Sequence, residues 1–314
     1  MIRPWLLALA MAFTNSPAKS FEPGSNVVLE NRVVRVVIAP YAGGRILEYR
    51  LLHGPNVLQG DPEMEPGEVP EPSFDARFQP LQGHVFWVSP QSRWWSSRGG
   101  EERGKEWPPD PWLIYGRDKI VARTAHSLQL QGVPSPLSGV RLDKQYELLA
   151  DGRLQLEAVM TNVSDEPATW AIWSNTRLPI TSRLRLPKRP EVSWRYSHEP
   201  GLQSEYQSWR LEEKKDWLAV DLAETGEAVT GKALVTTEIG WVEARHSGLT
   251  FQKSTAWLAG AGEVPVGHGP VEIFATAGPS GGEGFLEIEF HGAERTLAPG
   301  ESQKYRETWR LVEE

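Results

Sequence analysis

Close to the carboxyl end the chain reads FLEIEFH, residues 285–291. Side chains of a strand alternate between its two faces. Here that puts Glu287, Glu289 and His291 with Phe285 on one side, and Leu286, Ile288 and Phe290 on the other. Two carboxylates and an imidazole projecting together can give and take a proton, which general acid–base chemistry requires. A solvated outer face has the same pattern, so this strand alone leaves both readings open. TWAIWSNTRL, residues 169–178, alternates likewise and sets Ala171, Trp173, Asn175 and Arg177 on one face. An indole covers the C–H patch of a pyranose, while an amide and a guanidinium take its hydroxyls in bidentate fashion. A Trp packed in a core beside a surface Arg would read the same way. Arg45 follows Gly43-Gly44, a pair that lets the backbone turn tightly and aim a guanidinium into a cleft.

A second concentration of chemistry lies in GHVFWVSPQSRWW, residues 83–95, and EWPPDPW, residues 106–112. Trp87, Trp94, Trp95, Trp107 and Trp112 alternate there with His84, Gln91 and Arg93. The stretch is proline-rich and reads as mostly irregular. Proline lowers the entropy cost of holding rings in place, so the segment suits the wall of a polyhydroxylated-ligand pocket. It suits equally a lid whose rings form a private core over a sheet edge. The candidate binding residues are therefore Arg45, Trp87, Gln91, Trp95, Trp107, Trp173, Asn175 and Arg177. The candidate acid–base residues are Glu289, Glu287, His84 and His291.

Other chemistries find no support. The histidines in HSGL and HGP lack metal-ligand spacing, and no HExxH occurs. No GxSxG is present, and GGEG, residues 281–284, reads as a turn. Asp61, Glu63 and Glu65 lie in an acidic, proline-rich segment that reads as solvated rather than as a calcium loop. The absence of cysteine removes thiol nucleophiles, thiolate metal sites and iron–sulfur clusters. No metal and no cofactor is expected.

The elements that must position these groups are strands. Glycine (29) and proline (25) are frequent enough to supply many turns among 314 residues. Segments 26–30 and 32–38 read as a hairpin or one bent strand, and 45–52 as the next strand. Segments 112–115, 120–124 and 127–131 read as short strands. The clearest unit is a hairpin of 140–149 and 154–162 about Asp151-Gly152. Residues 168–177 continue it, further strands follow to 275, and 285–290 and 303–312 close the chain. No amphipathic helix of useful length, fixed-period repeat or composition shift appears. The expectation is one all-β domain, antiparallel, over residues 21–314.

Residues 1–20 read as a signal peptide: Arg3, an apolar run over 5–13, and Ala18-Lys19-Ser20 as a cleavage site. The run is too short to span a bilayer, and no later stretch reaches membrane length. The expected location is periplasmic or extracellular. Net charge is −8, and near −10 once the cations Arg3 and Lys19 leave with the leader. With no Lys/Arg run, nucleic acid, anionic lipid and strongly acidic polysaccharide are poor partners. A neutral mono- or oligosaccharide is the simplest remaining ligand.

ENRVVRVVIAPYAGGRILEYRL, GHVFWVSPQSRW, LDKQYELLADGRLQLEAVMTNVSDEPATWAIWSNTRL and FLEIEFHGAERTLAPGESQKYRETWRL together resemble the DUF4380 family, which sits with the galactose-mutarotase-like carbohydrate-binding superfamily. The resemblance covers most of the chain after the leader. It implies a β-supersandwich, with large antiparallel sheets curved over a sugar-binding concavity. Mutarotases of that superfamily pair a histidine acid with a glutamate base. The resemblance places the glutamate at Glu289 or Glu287, with Glu289 favoured. The His-Pro-aromatic-Phe-Asn segment of mutarotases is absent. TWAIWSNTR takes the comparable strand, leaving His84 or His291 for the acid. The implied function is an exported carbohydrate-binding protein with aldose 1-epimerase-like acid/base activity on a neutral sugar. A non-catalytic glycan binder and an envelope scaffold are the alternatives.

Overall fold

Alternation along the chain translates directly into burial. In VRLDKQYEL every second side chain faces inward, and it forms β7 (Val140–Leu148), paired antiparallel with β8 (Leu154–Asn162). The computed structural model describes residues 24–96, 107–187, 193–196, 210–213, 217–221, 229–236, 240–255, 262–277 and 284–314. The leader assigned to residues 1–20 lies outside these. Among the described residues the structure is two ten-stranded sheets.

The first sheet runs through β1 (Val27–Glu30), β2 (Val34–Ala39), β3 (Arg45–Leu51), β4 (His84–Ser89), β9 (Ala168–Pro179), β18 (Gly284–His291), β17 (Val271–Ala277), β14 (Val229–Thr236) and β11 (Ser193–Tyr196), in that spatial order. A short β19 (Arg295–Leu297) also pairs with β9. The second runs through β12 (Arg210–Glu213), β13 (Trp217–Asp221), β10 (Arg183–Pro187), β15 (Trp241–His246), β16 (Leu249–Ser254), β20 (Ser302–Glu313), β8, β7, β6 (Ser127–Gln131) and β5 (Lys119–Arg123). All pairings are antiparallel, and one apolar cluster fills the space between the sheets and continues onto the outer face of the first. Tyr49 of β3 meets Phe251 of β16 and Trp309 of β20 there, with ring centroids 6.1 and 5.7 Å apart. The all-β architecture is as expected. No helix among the described residues is long and apolar enough to cross a membrane.

Two local expectations are corrected. Residues 112–115 belong to a short helix, α1 (Pro111–Tyr115), not a strand. Asp110 caps it by accepting the Trp112 N–H at 3.0 Å, and Pro111 starts it without an orphaned donor. Residues 84–89 are a regular strand, not irregular, because β4 is inserted between β3 and β9 and pairs with Ser89↔Ala171 through His84↔Thr176. The double glycine acts as expected. Gly43 and Gly44 both adopt left-handed φ, +68° and +67°, and a Cβ on Gly43 would lie 2.4 Å from the Leu113 carbonyl oxygen. That turn delivers Arg45 as the first residue of β3.

Candidate functional site

Register across five neighbouring strands of the first sheet gathers the site. Trp87 lies opposite Trp173, and Trp173 opposite His291. Asn175 lies opposite Glu289, and Glu289 opposite Glu272 of β17. Arg177 faces Glu287, which faces Phe274, which faces Lys232 of β14. Paired residues share a face, so these side chains stand together on the face turned away from the second sheet.

One half of this face is an ionic cluster around an indole. Trp173 Nε1 donates to Glu289 Oε2 at 2.9 Å. The Lys232 ammonium lies 3.0 Å from the same oxygen, 2.6 Å from Glu272 Oε2 and 4.6 Å from the centre of the Trp173 ring. Glu272 Oε1 accepts from Gly269 N–H at 2.8 Å and meets His268 Nδ1 at 3.0 Å. His291 Nε2 is 3.3 Å from Glu272 Oε2, and its Nδ1 meets Ser89 Oγ at 3.0 Å. All six side chains are buried, His268 being the most accessible at 8%. Burial pushes Glu289 well above the usual carboxylate range. For Glu272 burial acts in the same direction but is outweighed by Lys232, His291 and His268, which hold it well below that range. Burial lowers His291 from 6.5 to about 4, so its ring is neutral near pH 7. Two adjacent carboxylates are thus driven apart in proton affinity, the arrangement by which one site presents an acid and a base.

The other half carries amide and guanidinium groups. Arg45, Trp87, Asn175 and Arg177 line one crevice beneath residues 78–83, and its volume is about 10 Å³. Arg177 Nε donates to Glu287 Oε1 at 2.5 Å, and its guanidinium lies 4.1 Å over the Phe285 ring. Arg45 Nη1 donates to the Gln82 carbonyl at 2.6 Å. Burial, then repulsion from Arg177, brings Arg45 from 12.5 to about 9. Arg45 Nε, Asn175 Nδ2 and Trp87 Nε1 are buried without hydrogen-bond partners.

The structure therefore brings together Arg45, Trp87, Trp173, Asn175, Arg177, Glu287, Glu289 and His291. His84 is not among them. Parity of β4 sends it into the space between the sheets, fully buried, with Nδ1 3.0 Å from Thr176 Oγ1 and its ring 4.9 Å from that of Trp309. Gln91 is half-buried in the 3-10 turn after β4, and Trp95 donates to the Pro108 carbonyl at 2.8 Å; neither lines the crevice. Trp107 sits at the rim, 44% exposed, its ring 4.6 Å from Phe78 and 6.3 Å from Trp87. The rings pack chiefly on one another, with Trp94 stacked on Trp173 at 5.8 Å, so most of the aromatic segment is its own core. The sequence reading missed Lys232, Glu272 and His268. Alternation in VEIFATA marks Glu272 as a carboxylate opposite the apolar Val271 and Ile273, but only register shows that it adjoins Glu289.

A family model described as a domain of unknown function, DUF4380, matches residues 25–312. No curated protein matches the sequence. Several solved structures share the fold. A galactose mutarotase-like protein from Lactobacillus casei is 11% identical, with 92% of this chain and 100% of that one covered and a TM-score of 0.59. A second such protein, from Clostridium acetobutylicum, is 9% identical over 92% and 95% of the two chains, with a TM-score of 0.58. A candidate aldose 1-epimerase from Escherichia coli K12 is 15% identical over 93% and 100%, with a TM-score of 0.53. At these identities the likeness is one of fold.

Proposed function

This chain belongs to the DUF4380 family, and from that premise we propose that it is an exported carbohydrate-binding protein with aldose 1-epimerase-like acid/base activity on a neutral sugar. The observation that carries the reading is the pairing of Glu289 and Glu272 on adjacent strands, bridged by Lys232 and set beside Trp173, on one face of a galactose mutarotase-like sheet. Mutarotation needs one group to protonate the ring oxygen and another to take the proton from the anomeric hydroxyl. Glu289, which keeps its proton, suits the acid. Glu272, ionised, and His291, neutral, suit the base. In this reading Glu289 is the acid, whereas the family resemblance implies a base there. Asn175, Arg45 and Arg177 supply donors for ring hydroxyls, two of them with unsatisfied nitrogens.

A crevice of about 10 Å³ is far below the roughly 300–1,000 Å³ of small-molecule pockets. Sugar entry therefore requires residues 78–83 to lift. They are held by Tyr115 Oη, which donates to the Gln79 carbonyl at 2.9 Å, by Gly83 N–H donating to the Gln59 carbonyl at 2.6 Å, and by Arg45. The same closure favours a second reading, an envelope scaffold without turnover; a non-catalytic glycan binder would need the same opening as the enzyme. Polarimetry on freshly dissolved aldoses separates them. Acceleration of mutarotation over buffer supports the first reading. Sugar-dependent tryptophan fluorescence without acceleration supports a binder, and neither signal on any aldose or oligosaccharide leaves the scaffold. Export is tested by the amino-terminal mass of the secreted chain, expected to begin after Ser20.

A further inference from the structure

Three donors of the ionic cluster have a geometry that proton transfer does not require. Ligand atoms of His268, Glu272 and His291 all lie within 4.8 Å of one another, and all three residues are buried. His291 Nε2 stands 3.3 Å from Glu272 Oε2. Tetrahedral zinc with bonds of about 2.0–2.1 Å sets its donor atoms about 3.3 Å apart, so this pair already has the spacing of one edge of such a site. Both atoms are buried without a hydrogen-bond partner. The Lys232 ammonium lies 2.6 Å from Oε2, so the present partner of that oxygen is an ion pair. A cation bound here would take the place of the ammonium on Oε2 and engage the Nε2 lone pair at the same depth.

We propose that His268, Glu272 and His291 form a binding site for one divalent transition-metal cation, zinc foremost, and that Lys232 is the charge this cation displaces from Glu272. Two imidazoles and one carboxylate are borderline donors suited to zinc, cobalt or nickel rather than to calcium or magnesium. The supporting shell is in place. Ser89 Oγ, 3.0 Å from His291 Nδ1, fixes the ring so that Nε2 points at Glu272. Gly269 N–H orients the carboxylate from the far side at 2.8 Å. Lys232 has a second carboxylate to retain, since its ammonium is 3.0 Å from Glu289. His268, the most accessible of the three at 8%, follows the exposed Val266-Gly267 in the segment that leads into β17. Spacing along the sequence hid the site, because His268 and His291 reach Glu272 from a loop and from the next strand. The inference does not rest on the sugar reading, since cation binding is measurable without turnover, and with the cation bound Glu272 and His291 no longer serve as the base of that reading.

The test uses the full chain, stripped with chelator and titrated with Zn²⁺ and Co²⁺. Thermal unfolding and the visible spectrum of bound Co²⁺ report occupancy. The expected result is one equivalent per chain, a raised melting temperature and a low-coordinate Co²⁺ spectrum. Ser89→Ala, which leaves all three ligands in place, should weaken binding by roughly tenfold to a hundredfold. His268→Ala should weaken it by at least about as much. Lys232→Met should tighten it by about tenfold, the effect of removing a competing charge worth about 1.4 kcal/mol. Absence of saturable uptake by the wild-type chain overturns the site. So does uptake with unchanged affinity in both Ser89→Ala and His268→Ala, which would put the metal elsewhere. Weaker binding in Lys232→Met overturns the displacement by Lys232.

Discussion

Strands β9 and β18 carry a buried ionic cluster on each face, and the two are built differently. On the inner face, between the sheets, Lys253 is fully buried. Its ammonium donates to Ser174 Oγ at 2.8 Å, Thr176 Oγ1 at 2.9 Å and the Ile288 carbonyl at 3.2 Å, with Glu307 Oε2 at 3.7 Å. Glu307 in turn accepts from Ser174 Oγ, Tyr305 Oη and Trp309 Nε1 at 2.7, 2.9 and 2.8 Å. Only His84 Nε2 among these groups lacks a hydrogen-bond partner. On the outer face His291 Nε2, Glu272 Oε2 and Asn175 Nδ2 are all unsatisfied. On the inner face the ammonium and the carboxylate are both fully hydrogen-bonded and tie the two sheets together. The outer cluster leaves an imidazole and an amide nitrogen without a hydrogen bond at the same depth. Hydrogen-bond satisfaction, rather than burial or charge, distinguishes the two clusters.

The sharpest break of this comparison is Lys253→Ala. It leaves the Glu307 carboxylate buried without its cation and should cost about 3–5 kcal/mol in urea unfolding. A loss under about 1 kcal/mol would show that water reaches Glu307, and that the inner cluster is not the closed scaffold described. On the outer face the matching change is Glu289→Gln. It keeps an acceptor for Trp173 and Lys232 but removes the transferable proton. Stability should move by no more than about 1 kcal/mol. Acceleration of mutarotation, read by polarimetry, should fall about a hundredfold, the low end of what one placed acid contributes. If Glu289→Gln unfolds as readily as Lys253→Ala while mutarotation is untouched, both clusters are scaffolds.

How much of this was legible beforehand depends on where alternation was visible. FLEIEFH and TWAIWSNTR showed it plainly, and their outward sets turned out to be cross-strand neighbours, Glu287 with Arg177 and Glu289 with Asn175. In GHVFWVS the density of rings and prolines suggested an irregular loop. Dropping the alternation there dropped the parity that turns His84 inward, with Phe86 and Val88, while Trp87 and Ser89 face outward. Lys232, Glu272 and His268 lie 59 or more residues from Trp173 and come near it through pairing of β14, β17 and β18. A period-two pattern assigns a face to a residue, but not a neighbour on another strand. The covering of Arg45 and Arg177 by residues 78–83 is a packing outcome of a segment with no periodicity at all.

The finest discrimination between the clusters is in pH, because each holds a cationic group that burial depresses, but in separate windows. His291 falls from 6.5 to about 4, against the raising influence of Glu272 and with His268 and Lys232 adding to the fall. Lys253 falls from 10.5 to about 8, against Glu307 and Glu289. In each case the unfolded chain binds a proton that the folded chain does not, between the lowered value and the ordinary one. Stability therefore rises with pH across that interval, by at most about 1.4 kcal/mol per pH unit for one proton. The outer cluster loses stability as pH falls from 6.5 toward 4, while the inner cluster gains it as pH rises from 8 toward 10.5. Subtracting the stability curve of Lys253→Met from that of wild type should leave a positive slope confined to the alkaline window. Subtracting that of His291→Gln should leave one confined to the acid window. A single slope shared by both difference curves would mean that the clusters titrate through one another across β9 and β18, and that the two faces are one electrostatic unit.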